Sequence, residues 1–471
     1  MHFNRLFVAA IAASAFLLES CTTSTGNDGI DWYGMTQEEF ERQPLDVKEL
    51  MDTYDDLIGF YVNAETELMS FDNYVWQGPN NGFTADRYDF PDVSYMFSTV
   101  SDNFTNYFSP SIAMRVMNSL LYSEQKADIG AEVREVSIPN CEGEGECSDS
   151  TTVLVFSQVY PTAPADKAGI MVGDTLQSID KSIIASSAIF ERITTGKIGD
   201  STSIVVKRGE ESITVVATFA PYLAPTVFVE EIDSIPVITI TEFTDTTYLN
   251  TGTYGEFLKA LEQTEGATST IIDLRGNPGG STDHCINMAA ELVQKNDTIV
   301  TMIERYPDEK FENVYIDTTT YTAERDGIGA GRYLVMLANS NSASCAELML
   351  MGVTSNTNSP VVGETTYGKG IGQVYTDTYA GGVVGITSMR LLDKNRKSYH
   401  RYGIVPDYEI SDNEMAMQKA VALAKEKTAT RTQGYGTVDT GHFTLAKKQG
   451  SRELDRGAFK IIQKNKPIPF K

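Results

Sequence analysis

Two short stretches hold the residue types that could do covalent chemistry. Ser344 stands in ANSNSASCAE (338–347), between an apolar strand-like run and an apolar helix-like run. Lys369 stands in VVGETTYGKGIGQ (361–373), flanked by Gly368 and Gly370. A serine at a strand-to-helix turn can be a nucleophile, because the helix end offers N–H groups and a positive dipole to a developing oxyanion. A hydroxyl also needs a base. The histidines are His2, His284, His400 and His442, and no G-x-S-x-G elbow or H-E-x-x-H motif marks any of them. A triad built on His284 stays open. A lysine can serve when burial disfavours its ammonium, and Lys369, in a glycine-walled turn, is the best such candidate.

Each stretch has a blander reading. Ser344-x-x-Glu347 before LMLM is also a capping box. Gly363 to Lys369 spells G-x-x-x-x-G-K, nearly a phosphate-binding loop. That reading fails, because Gly370 stands where Ser or Thr should reach magnesium and the chain continues as strand rather than helix.

The elements that must position these residues follow from pattern. Between about 226 and 430, IPVITITEF, TSTIIDLRG, YLVMLAN and PVVGE are compact apolar runs, while YGEFLKALEQ, INMAAELVQK and CAELMLMGV are helix-like. The alternation predicts βαβ units, with reacting groups where strands end and helices begin. Residues 35–122 read as helical, with a cap at Thr36. Residues from about 125 to 220 read as short strands, including a hairpin turning at Arg208-Gly209-Glu210.

Two resemblances follow from quoted residues. Pro164-Ala165-Asp166-Lys167-Ala168-Gly169-Ile170 with Gly173-Asp174 resembles a PDZ domain of bacterial protease type. Asp128, Ile129 and Gly130 then fall where such domains receive a peptide C-terminus by strand addition. DLRGNPGG (273–280), Ser344-x-x-Glu347, GETTYGKG (363–370) with Gln373, and GIVPD (403–407) stand in the order and spacing of the C-terminal processing (tail-specific) peptidases, serine proteases with a Ser–Lys dyad. The resemblance covers most of residues 35–425. It implies Ser344 as nucleophile, Lys369 as general base, Gln373 orienting the amine and Glu347 supporting the network. It places the oxyanion between the N–H of Cys345 and that of Gly279 or Gly280. It implies a multidomain α/β (α+β) fold: a helical segment (35–122), a PDZ-like β-rich domain (123–222), an α/β peptidase core of ClpP/crotonase-like βαβ type (223–430) and a basic extension (431–471). Such chemistry needs no cofactor or metal, and none is expected. The expected partners are proteins or peptides with accessible C-termini. The competing expectation is a non-catalytic peptide- or ligand-binding protein on the same fold, and a latent enzyme is a third.

The remaining signals concern location. The chain of 471 residues carries a formal net charge of −26, which argues against a nucleic-acid partner. FVAAIAASAFLL (7–18), then Leu18-Glu19-Ser20-Cys21, resembles a bacterial lipoprotein signal. The expectation is a signal peptide (1–20), lipid on Cys21, a polar tether (21–34), and a lipid-anchored place in the bacterial envelope, on the outer membrane facing the periplasm or the surface. Cys141 and Cys147 bracket EGEGE and could close a small disulfide ring there. Cys345, where the family commonly has alanine, and Cys285 are expected to be free buried thiols. The basic tail is expected to be loosely packed and to dock on the acidic body.

Overall fold

The computed structural model describes residues 35–140, 149–308, 311, 313–427 and 458–461. Helix α1 (Gln37–Arg42) belongs to a unit separate from residues 44–467. The cap expected at Thr36 is formed: Thr36 N–H donates to Glu39 Oε2 (2.7 Å), and Glu39 N–H donates back to Thr36 Oγ1 (3.3 Å). In the larger unit, α2 (Leu45–Phe60) buries Val47, Leu50, Met51, Leu57 and Phe60 along one helical stripe. α3 (Ala64–Glu67), α4 (Pro91–Thr99) and α5 (Pro110–Leu121) follow, the last two opening on a proline whose missing N–H costs a helix start nothing. One short strand, β1 (Asn106–Phe108), interrupts this helical stretch.

The next stretch runs β2 (Gln125–Lys126), β3 (Ala131–Asn140), β4 (Asp149–Val159), α6 (Pro164–Lys167), β5 (Thr175–Ile179), α7 (Ser187–Ile193), β6 (Ser201–Arg208), β7 (Glu211–Thr218) and β8 (Tyr222–Leu223). Strands β3 to β7 form one antiparallel sheet in sequence order, and β2 pairs with β8 where the segment is entered and left. Alternation in β6 buries Thr202, Ile204 and Val206, and the last two join a core with Phe156, Ile170 and Phe190. The predicted turn joins β6 to β7, with Gly209 at φ 60°.

The last stretch carries Ser344 and Lys369. Its elements are β9 (Val227–Ile232), β10 (Ile235–Ile240), α8 (Gly252–Gln263), β11 (Ser269–Asp273), α9 (Thr282–Ala290), β12 (Thr298–Pro307), β13 (Val314–Thr322), β14 (Tyr333–Ala338), α10 (Cys345–Thr357), β15 (Val361–Gly363), β16 (Ile371–Asp377), β17 (Val383–Leu392), β18 (Tyr408–Glu409), α11 (Asn413–Glu426) and β19 (Ala458–Ile461). The four apolar runs read from sequence become β10, β11, β14 and β15 of a parallel sheet, which β18 completes on one edge and antiparallel β9 on the other. A second sheet, β13-β12-β17-β16-β19, takes β1 from the helical stretch as an antiparallel neighbour of β17. Helix α10 buries Leu348, Met349, Leu350, Met351 and Val353 completely. A helix apolar on all sides must be packed on all sides, which is why α10 could not be an exposed surface helix. The protein is thus a mixed α/β fold.

One expectation changes here. Residues 458–461 of the basic extension are not loosely packed but form β19, parallel to β16 with Gln373 opposite Phe459. A sheet edge presents unpaired N–H and C=O groups, and a later segment can satisfy them. The rest of the extension, the segment before residue 35, and Cys21, Cys141 and Cys147 lie outside the described residues.

Candidate active site

Strand β14 ends at Ala338, and the loop to Ser344 is fastened to the turn after β11. Ser342 Oγ donates to Leu274 O (2.8 Å), Ala343 N–H to Asn277 O (2.9 Å), and Gly276 N–H to Asn339 Oδ1 (2.9 Å). Asn277 reaches the other way, donating from Nδ2 to Ile240 O (2.9 Å). Two turns separated by some sixty residues in sequence are therefore tied together. Ser344 then starts α10 with φ 55° and ψ −108°, a backbone that L-residues seldom adopt and that packing must enforce.

Glu347, one turn into α10, gathers the site. Its Oε2 accepts from the backbone N–H of Ser344 (2.8 Å) and of Lys369 (2.8 Å). Its Oε1 accepts from Thr366 Oγ1 (2.5 Å) and from Gly368 N–H (2.7 Å). Two nitrogens held at one oxygen can be no further apart than twice those bond lengths, so the backbones of Ser344 and Lys369 are neighbours. Burial pushes the Glu347 carboxyl up to about 7, against these four donors, which favour its ionised form. Lys369 Nζ donates to Gln373 Oε1 (3.0 Å), and Ser344 and Lys369 are both fully buried.

The expected oxyanion donors divide. Gly279 N–H already donates to Asn277 Oδ1 (2.8 Å). Gly280 has φ 143°, and a Cβ there would lie 1.9 Å from Phe243 O, so only glycine fits. Cys345 is the first residue of α10, where helical N–H groups have no intrahelical acceptor. Gly280 with Cys345 is thus the pair best suited to an oxyanion.

Cys285 and Cys345 are a disulfide, which corrects the expectation of free thiols. The two turns that start α9 and α10 lie side by side, which brings their Cα atoms to 5.8 Å, within bridging range. Sixty residues separate the two cysteines, so no local pattern could reveal the contact. The His284 alternative also closes. Its Nδ1 accepts Tyr254 N–H (3.0 Å) and its Nε2 faces Asp245 Oδ1 (3.3 Å).

The other predicted loop lies in the β3–β7 segment. Ile129 is buried, its N–H donating to Thr194 O (3.2 Å), while Gly130 N–H donates to Asp128 Oδ1 (2.7 Å). The donors expected to meet a peptide carboxylate are therefore engaged within the chain. Among the described residues no group of three or more His, Cys, Asp or Glu could hold a metal, and no helix is long and apolar enough to cross a membrane.

Sequence reasoning missed several residues here. Thr366 binds Glu347, and Tyr399 OH donates to Ser344 O (3.3 Å). Phe104 accepts the Gln373 Nε2–H at its carbonyl and places its ring centroid 4.4 Å from Lys369 Nζ. Thr366 stands inside a quoted motif and could have been suspected. Phe104 comes from the helical stretch and carried no signal.

Residues 234–410 match the model of peptidase family S41. It is similar to the carboxy-terminal processing protease CtpA of Bacillus subtilis, 27% identical over 357 residues, covering 74% of this chain and 68% of that one. A probable CtpA-like serine protease of Staphylococcus haemolyticus is 28% identical over 264 residues, covering 55% and 50%. The chain spans about half the length of the first staphylococcal relatives it matches, 50% of one and 52% of another. Among solved structures, an S41 protease from Bacteroides fragilis superposes with a TM-score of 0.49 at 14% identity, covering 80% of this chain and 98% of that one. The photosystem II D1 C-terminal processing protease gives 0.45 at 18%, covering 80% and 97%.

Proposed function

We propose that this chain is a serine endopeptidase of the bacterial envelope that cleaves proteins recognised through their C-terminal tails. The observation that carries the reading is the single buried carboxylate of Glu347, which binds the backbone of both Ser344 and Lys369 while Gln373 holds the lysine amine. Lys369, as the neutral amine, takes the Ser344 proton as Oγ attacks the scissile carbonyl carbon. The oxyanion that forms is met by the N–H groups of Gly280 and Cys345. The lysine returns the proton to the leaving amine, and a water molecule then repeats the sequence to free the acyl chain and regenerate Ser344.

Residues 123–222 act as a PDZ domain that captures the tail, in keeping with the C-terminal processing named for the Bacillus subtilis relative. Lipid on Cys21 tethers the chain to the outer membrane. Complete burial of Ser344 and Lys369 supports a latent resting state, in which substrate entry needs a rearrangement. The test is to incubate the purified protein, and Ser344→Ala and Lys369→Ala variants, with an unfolded protein bearing an apolar C-terminus. Mass spectrometry should find cleavage products from the parent only, with the variants slower by roughly 10⁴-fold. Binding without cleavage by all three would leave a peptide-holding protein instead.

A further inference from the structure

Lys369 meets more than the matched core. The segment Asp102–Thr105, from the helical stretch before the β3–β7 sheet, lies directly over it. Phe104 stacks its ring 4.4 Å from Nζ, the spacing of a cation–π contact. Its carbonyl accepts Gln373 Nε2–H. An amide whose nitrogen is committed in one direction must present its oxygen in the other, so Phe104 decides that Oε1 faces the amine. Asp102 is 4% exposed; burial pushes its carboxyl up, while hydrogen bonds from Thr387, Thr105 and Phe104 and the charge of Lys369 favour the carboxylate. Its carboxylate is fixed by Phe104 N–H (2.8 Å) and Thr105 Oγ1 (2.7 Å), and Thr105 Oγ1 accepts Thr387 N–H (3.1 Å) from β17.

We propose that Asp102 and Phe104 are positioning residues for the general base: Phe104, held by Asp102, orients Gln373, and together they favour the ammonium form of Lys369 against the pull of burial. The inference rests on the reading of Lys369 as the base. A ring face and a carboxylate both stabilise the charged amine over the neutral one. Complete burial pulls the amine toward the neutral form that proton transfer requires, and this cover opposes that pull. Other titratable or charged groups around the pocket include Tyr61, which faces Asp102 and donates to Glu67, Glu347, held to the Lys369 backbone, Tyr399, bound to Ser344 O, and His400 and Arg401 on the turn that joins Gly368 through Arg401 N–H (2.7 Å). None of these belongs to the Asp102–Thr105 segment, so variants there change one face of the pocket only.

The test is the titration of Lys369 itself. The full chain in detergent, carrying Ser344→Ala to prevent self-digestion and ¹³C-labelled at lysine Cε, is followed by NMR, with the Lys369 signal assigned by its loss in Lys369→Ala. Asp102→Asn should lower the midpoint by about 1 pH unit. Phe104→Leu, which keeps the cover but removes the ring, should lower it by about half a unit. In chains with Ser344 intact, the rising limb of kcat/KM against pH should shift the same way. Unchanged or raised midpoints in both variants would overturn the inference, and leave residues 102–105 as scaffold. A shifted NMR midpoint in a protein that cleaves nothing would uphold the pocket and sink the peptidase reading instead.

Discussion

Glu347 and Asp128 perform one elementary task in two settings. Each is a carboxylate that collects donors and so fixes a loop. Asp128 is half-buried and works locally, taking Gly130 N–H two residues on and the Tyr222 hydroxyl (2.5 Å). Glu347 is fully buried and joins Ser344, Thr366, Gly368 and Lys369 from two segments of chain. The lesson is about redundancy. A local carboxylate loop could be approximated by other turn chemistry, whereas Glu347 takes the backbone N–H of Ser344 and of Lys369 at one oxygen. The core also adds a covalent tie beside Ser344, the Cys285–Cys345 disulfide.

The contrast can be broken at its strongest point first. Removing the disulfide with Cys285→Ala/Cys345→Ala should cost about 4 kcal/mol, from the loop it closes in the unfolded chain. Differential scanning calorimetry should register a lower transition temperature. Hydrogen exchange should quicken around α9 and α10 and stay unchanged in β3–β7. Equal loosening of both regions would show that the disulfide does not act on the core alone.

Glu347→Gln addresses the carboxylate directly. Burial pushes the Glu347 carboxyl from the ordinary 4.5 up to about 7. Between those values the unfolded chain has released a proton that the folded chain retains, so this group's contribution to stability falls as pH rises through that window. The full span is on the order of 3 kcal/mol. Denaturant melts of parent and Glu347→Gln across pH 4.5 to 7 should differ by that slope, and parallel pH profiles would remove Glu347 from the account.

The smallest effect is expected at the other carboxylate. Tyr222→Phe removes one donor to Asp128, worth about 1 kcal/mol. It should raise KM for a tailed substrate a few-fold and leave kcat unchanged. A matching fall in kcat would mean that the two regions are coupled more tightly than their separate hydrogen bonds imply.

Much of the core was legible because its signals are local. The apolar runs at 235–240, 269–273, 333–338 and 361–363 became strands of the parallel sheet, and the serine turn fell where strand gives way to helix. The β12–β13 hairpin and the strand at 458–461 were not read. Strand β13 is exposed along nearly its whole length, so it lacks the inward alternation that marks a strand, and β19 is specified by the edge it completes. Phe104 and Asp102 left no trace, because their role depends on Lys369, which lies more than 260 residues further along.

By itself the sequence determined which residues could react and in what order they occur, since residue type and spacing within a turn are properties of a short stretch of chain. Only the tertiary structure decided which glycine N–H remained available, that Cys285 bonds Cys345, and that an aromatic ring from the helical stretch covers the lysine. Those outcomes depend on distances between segments far apart in the chain, and such distances are set by how sheets and helices pack rather than by any local pattern.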